Sequence, residues 1–133
     1  PNDFVYPIEG RHESWFTDKA LNYFKQKKHC LVWNVVEGVN NPFPITSDYL
    51  YVRLIGDRSI PDKQFGAVRK NKSNFIKKWA QKLIEISDIP LAMVMANNHF
   101  EGFGPATANT LGENLGRREL IWEEKKQKTI RNF

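Results

Sequence analysis

Glu9, Arg11 and Arg53 are the residues of this chain whose types and spacing are best suited to chemistry. Arg53 lies within YLYVRLI, residues 49–55. Side chains alternate between the two faces of a strand. Leu50, Val52 and Leu54 therefore share one face, and Tyr51, Arg53 and Ile55 the other. A guanidinium on an interior face is costly unless a partner neutralises it. The segment FVYPIE, residues 4–9, offers that partner: Phe4, Tyr6 and Ile8 share one face, leaving Glu9 and Arg11 on the other. Arginine is charged at any working pH and presents a planar fork suited to carboxylate or phosphate. Two readings follow. In one, Glu9 is a general acid or base and Arg11 and Arg53 hold an anionic group. In the other, Glu9 and Arg53 form a structural ion pair.

Asn97, Asn98 and His99, followed by FEGFG at residues 100–104, are a second group. Side-chain amides and a glycine-loosened backbone before a helix can cradle an anion, or simply make a tight turn. The spacing matches no dinucleotide or P-loop motif. Asn97 and Asn98 join the ligand-binding set with Arg11 and Arg53, and His12 and Tyr51 are secondary members. His12, His99, Glu9, Glu37 and Asp57 all fall near expected strand ends, yet no spacing among them gives a metal-ligand geometry. No cofactor is expected, with a divalent metal kept as a minor alternative. Cys30 has no activating neighbour and reads as a small core residue. Arg69, Lys70, Lys72, Lys77, Lys78 and Lys82 concentrate positive charge around one helix. That helix spends its aromatics in its apolar stripe, so a solvated face is favoured over a nucleic-acid site.

The elements that must position these residues are four strands and about three helices. Strands are expected at residues 4–9, 30–36, 49–55 and 91–97, the last three being nearly continuous apolar runs of the kind buried on both faces of a parallel sheet. Pro7 is awkward in the first because it cannot donate to a ladder. Helices are expected at 15–28 with Ser14 as cap, at 74–87 with Ser73 as cap, and at 105–116 between Pro105 and Gly116. The second carries the clearest stripe: Phe75, Ile76, Trp79, Ala80, Leu83 and Ile84. Residues 37–48 read as a loop, and 117–133 as a charged tail whose apolar cluster is Leu120, Ile121 and Trp122, either a short docking helix or a frayed end. Strands alternating with helices argue for an α/β fold with a parallel sheet. Four strands suit a small doubly wound domain, and equally half of a (β/α)8 barrel, whose full form needs about 250 residues.

Composition bounds the remaining choices. The 133 residues allow one domain, and 41% hydrophobic with 26% charged residues excludes a disordered or fibrous chain. The net charge is +5, from 20 basic and 15 acidic side chains. No apolar run approaches the roughly 20 residues of a membrane span, and no secretory signal pattern is visible. A single cysteine fits a reducing compartment, so a cytoplasmic protein is expected. The chain starts on Pro1 rather than Met, which is expected of a processed start or of a piece of something longer.

Glu9-Gly10-Arg11-His12 with Ser14-Trp15-Phe16, then Tyr51-Val52-Arg53-Leu54-Ile55-Gly56, Trp79-Ala80, Asn97-Asn98, Gly102, Pro105-Ala106 and Ala108-Asn109 occur in an order that resembles the YecE-like family, the domain of unknown function 72. The resemblance runs from about residue 4 to 116. It implies a TIM-type barrel, of which residues 1–116 look like the C-terminal half, and it implies no established reaction. Members usually carry a histidine where this chain has Ile55, and an aromatic or aliphatic residue where it has Gly10. The half-barrel expectation also implies a partner, either an N-terminal half or a second copy, because open sheet edges invite pairing.

Overall fold

Alternation around Val52 builds the centre of the fold. The computed structural model describes residues 6–35, 39–86 and 88–118. Phe4, Val36, Glu37, Ser87 and the tail residues 119–133, including Leu120, Ile121 and Trp122, lie outside the described residues. In chain order the elements are β1 (Pro7–Ile8), α1 (Asp18–Lys27), β2 (Cys30–Leu31), β3 (Trp33–Asn34), β4 (Tyr49–Leu54), α2 (Ser73–Ile84), β5 (Leu91–Ala96), α3 (Asn98–Glu101) and α4 (Gly104–Asn114). Every ladder is parallel: β1 pairs with β2, and β3, β4 and β5 form a three-stranded sheet in that order. The α/β class with parallel pairing is thus the one expected from the alternating pattern.

Leu50, Val52 and Leu54 are almost fully buried on one face of β4. They pack with Trp33, with Ile76, Trp79 and Ala80 of α2, with Phe100, and with Leu111 of α4. Tyr51 and Arg53, on the other face, are only partly buried. Period-2 patterning therefore separates a helix-covered core from an open face that carries the polar groups.

The segment 30–36 does not form one strand. Cys30 and Leu31 pair with β1, and Trp33 and Asn34 pair with β4. On the side that β4 does not reach, loop side chains replace the ladder: Leu31 N donates to Thr46 Oγ1 at 2.9 Å, and Asn41 Nδ2 donates to Val32 O at 3.2 Å. Pro7 is tolerated because its neighbours accept instead, Cys30 N donating to Tyr6 O and Val32 N to Ile8 O.

Helix starts differ from expectation where several capping groups compete. Residues 13–16 form a separate 3-10 turn, capped by His12 Nδ1, which accepts from Ser14 N. α1 begins only at Asp18, with Thr17 Oγ1 accepting from Ala20 N, so Ser14 is not its cap. α2 begins at Ser73 itself, whose N–H donates to Asn71 Oδ1 at 3.0 Å. Lys72 N at that end donates to Glu101 Oε1 at 2.9 Å, a carboxylate brought from α3. α4 carries its proline in the first turn, and Gly116 follows in the left-handed region at φ +71°, as expected.

The apolar run 91–97 predicts a strand covered on both faces, and here the structure differs. Leu91 and Met95 are more than half exposed, and Met93 is exposed as well. Hydrophobicity records what a segment would bury, and the described residues supply no element to cover this face. Among the described residues no helix is long and apolar enough to cross a membrane.

Candidate functional site

Parallel strands gather their carboxyl ends along one edge, and the site is built there. Glu9 follows β1, Arg53 stands near the end of β4 in register with Asn34 and Met95, and Asn97 follows β5, its N–H donating to Leu54 O at 2.9 Å. Glu9 is the centre of the charged group. Its Oε2 accepts from Arg53 Nη1, and its Oε1 accepts from Arg11 Nε at 2.7 Å. The Glu9 side chain is mostly buried, that of Arg53 is about one-third exposed, and that of Arg11 largely exposed. Burial by itself pushes the Glu9 carboxyl up, but hydrogen bonds and Coulomb attraction from Arg53 and Arg11 outweigh it. The net effect holds Glu9 below its ordinary value, so it is ionised at neutral pH.

A buried amide network fixes the backbone of this group. Asn34 Nδ2 donates to Gly10 O at 3.1 Å, between the two charged positions Glu9 and Arg11. Asn41 Nδ2 donates to Asn34 Oδ1 at 3.1 Å, and Asn41 Oδ1 accepts from Phe43 N at 2.8 Å. Both asparagines are buried with their amide groups hydrogen-bonded, which is how such groups persist inside a protein. Gly10 is needed for space: a Cβ there would stand 2.7 Å from Trp15 Cβ. Sequence reasoning missed Asn34 and Asn41. The signal available was a lone amide in the apolar run CLVWNVV.

Two adjoining cavities open at this edge. The first, about 420 Å³, is lined by Pro7, Glu9, Tyr51, Arg53, Met95 and Asn97 among others. The second, about 490 Å³, shares Arg53, Ile55 and Asn97 with the first and adds Arg11, Gly56, Asp57, Arg58 and His99. Glu9, Arg11, Arg53, Tyr51 and Asn97 are thus brought together. His12 and Asn98 line neither cavity. His12 caps the 3-10 turn, and Asn98 Oδ1 accepts from Gly104 N at 2.8 Å at the start of α4. The sequence pattern does not mark Arg58, and it marks His99 only beside Asn97 and Asn98 and as a metal candidate. Arg58 stands in the loop after β4 and His99 in the one-turn α3, where no periodicity points to them.

Among the described residues no group of three or more His, Cys, Asp or Glu side chains lies together in a way that could hold a metal ion. Asp57 is engaged elsewhere. Its carboxylate is held well below the usual range by Lys70, whose Nζ lies 2.7 Å away, and by Ser59. Cys30 is buried, and burial pushes its thiol up, as suits a core residue rather than a nucleophile. The neighbouring Tyr49 hydroxyl is pushed up to about 12, chiefly by burial.

The family described as "Protein of unknown function DUF72" matches residues 1–131. No curated protein matches the chain. Crystal structures of DUF72 family proteins share its fold. One from Thermotoga maritima is 18% identical with a TM-score of 0.65, over 86% of this chain and 47% of that one. One from Enterococcus faecalis is 19% identical with a TM-score of 0.64, over 87% of this chain and 50% of that one. The chain spans about half the length of the solved structures it matches. These likenesses speak for fold alone, whereas the family match runs along nearly the whole sequence, so the chain belongs to the DUF72, or YecE-like, family of proteins of unknown function.

Proposed function

We propose that this chain binds a small polar, anionic ligand in the cavity at its strand ends, within a (β/α) half-barrel resembling the C-terminal half of a TIM barrel. The observation that carries the reading is the Arg53–Glu9–Arg11 group at the mouth of that cavity. Each guanidinium offers five N–H donors and spends one on Glu9, which leaves donors for a ligand. Arg53 and Arg11 hold the anionic group, and Asn97 and Tyr51 orient it. Asn98 and His12, committed to turns, support the shape. If chemistry occurs, Glu9 enters it ionised, so its role is that of a base rather than an acid. A thermal-shift screen of carboxylates, nucleotides and phosphorylated sugars tests the reading. The expected result is stabilisation of the parent by at least one of them, reduced in Arg53→Ala. Equal shifts in parent and variant for every hit would sink the pocket.

A second reading concerns assembly: residues 1–116 form a subunit completed by an N-terminal half-barrel or by a second copy. The open apolar face of β5, at Leu91, Met93 and Met95, favours it, as does the half-length match to the solved structures. Solution mass is the test, and a monodisperse monomer with cooperative melting would count against it. Nucleic-acid binding through the basic helix gains no such support. Lys72 lies over the Phe100 ring, and Lys82 over the rings of Trp33 and Phe43, so these cations cover core aromatics.

A further inference from the structure

We propose that the second cavity, which shares Arg53 with the first, is a subsite for a phosphate-type dianion, so that the ligand carries a phosphoryl group. The inference rests on the strand-end reading above and names its substrate class. Three guanidinium groups line this cavity: Arg11, Arg53 and Arg58. Two of them share the single negative charge of Glu9. The carboxylate that lines the cavity, Asp57, is matched by Lys70. Three positive charges against one therefore leave two uncompensated around one cleft, the charge of a phosphate monoester and twice that of a carboxylate.

Arg58 is the added element. It is exposed, and it makes no ion pair among the described residues. The backbone that carries it is nonetheless fixed. Asp57 Oδ1 accepts from both the N–H and the hydroxyl of Ser59, at 3.0 and 2.7 Å, closing a turn around Arg58, whose φ is +58°. Ile60, next in line, is buried and anchors that turn in the core. A planar fork held by a pinned turn suits the several oxygens of a phosphoryl group, which accept more donors than a carboxylate can. His99 completes the wall of the cavity. It packs edge-on against Phe65 at 4.9 Å, its Nδ1 is buried without a hydrogen-bond partner, and its Nε2 lies 3.8 Å from Asp62 Oδ1, at ion-pair rather than hydrogen-bond distance.

Titration calorimetry of the full chain with inorganic phosphate tests this, comparing the parent with Arg58→Gln and Arg58→Lys. Arg58 is exposed, so matching melts of parent and variants are expected. Phosphate should bind the parent, bind Arg58→Gln about tenfold more weakly, and recover part of that loss in Arg58→Lys. No phosphate binding by the parent, or equal binding by parent and Arg58→Gln, overturns the subsite. The parent reading fails separately. If no ligand of the thermal-shift screen depends on Arg53 while phosphate still depends on Arg58, the strand-end pocket falls and the dianion subsite stands alone.

Discussion

Glu9 is pinned between two cations, and its charge state carries a consequence for stability against pH. A carboxyl whose folded value lies below its ordinary 4.5 stabilises the fold above that pH, and the contribution is lost as pH falls through the lower, folded value. Urea unfolding at pH 7 and at pH 3 should therefore show a loss in the parent that is smaller in Glu9→Gln. At pH 7 the same substitution leaves Arg53 without its carboxylate, and a cost of about 1–3 kcal/mol is expected for the lost charged hydrogen bonds. Gly56 gives a second prediction at this scale. Its φ is +85°, and a Cβ there would stand 2.1 Å from the His99 carbonyl oxygen. Gly56→Ala should destabilise by about 1–3 kcal/mol or more, measured by urea midpoint, because backbone rather than a flexible side chain must move. The strand-end group was legible in the sequence at Arg53, because alternation assigns it a face and an interior charge demands a partner. Asn34 and Asn41 were not, since the partners of a buried amide depend on which loop the fold brings alongside it.

Elements are secured here by groups distant in sequence. At the amino end of α2 Asn71 Oδ1 takes Ser73 N at 3.0 Å, and Glu101, itself buried, takes Lys72 N on one oxygen and the Thr107 hydroxyl on the other, at 2.9 and 2.8 Å. Glu101→Ala should cost about 1–3 kcal/mol in urea unfolding, because a buried and a half-buried donor lose their acceptor. Local pattern alone places α2, since its apolar stripe is strong, but it points to Ser73 as the cap and not to a carboxylate about one helix further along the chain. The start of α1 differs for a related reason: Ser14 ranks above Thr17 as a capping type, yet the 3-10 turn at residues 13–16, capped by His12, delays the helix to Thr17. β5 shows a different limit. Its composition specifies a strand but not its cover, because apolar residues set a demand for burial and not the element that meets it.

At the scale of the molecule, a family match along nearly the whole chain meets solved structures twice as long. The exposed side chains of β5 are where the assembly reading is tested by substitution. Under that reading, Leu91→Lys with Met93→Lys should shift the parent's oligomer or mixed-half complex toward monomer, read by sedimentation, with little change in the fold because both positions are exposed. The loops above the strand ends are, by contrast, bound to one another. The Glu101 carbonyl accepts from the backbone of Arg69 and of Lys70, the Glu101 carboxylate from that of Lys72, and Lys70 in turn holds Asp57. One buried residue after β5 thereby fastens the whole connection that leaves β4. Amide hydrogen exchange should find residues 57–72 and 98–107 opening as a single cooperative unit, with one shared free energy, so that any ligand seated against Arg58 would slow exchange as far away as the first turn of α2.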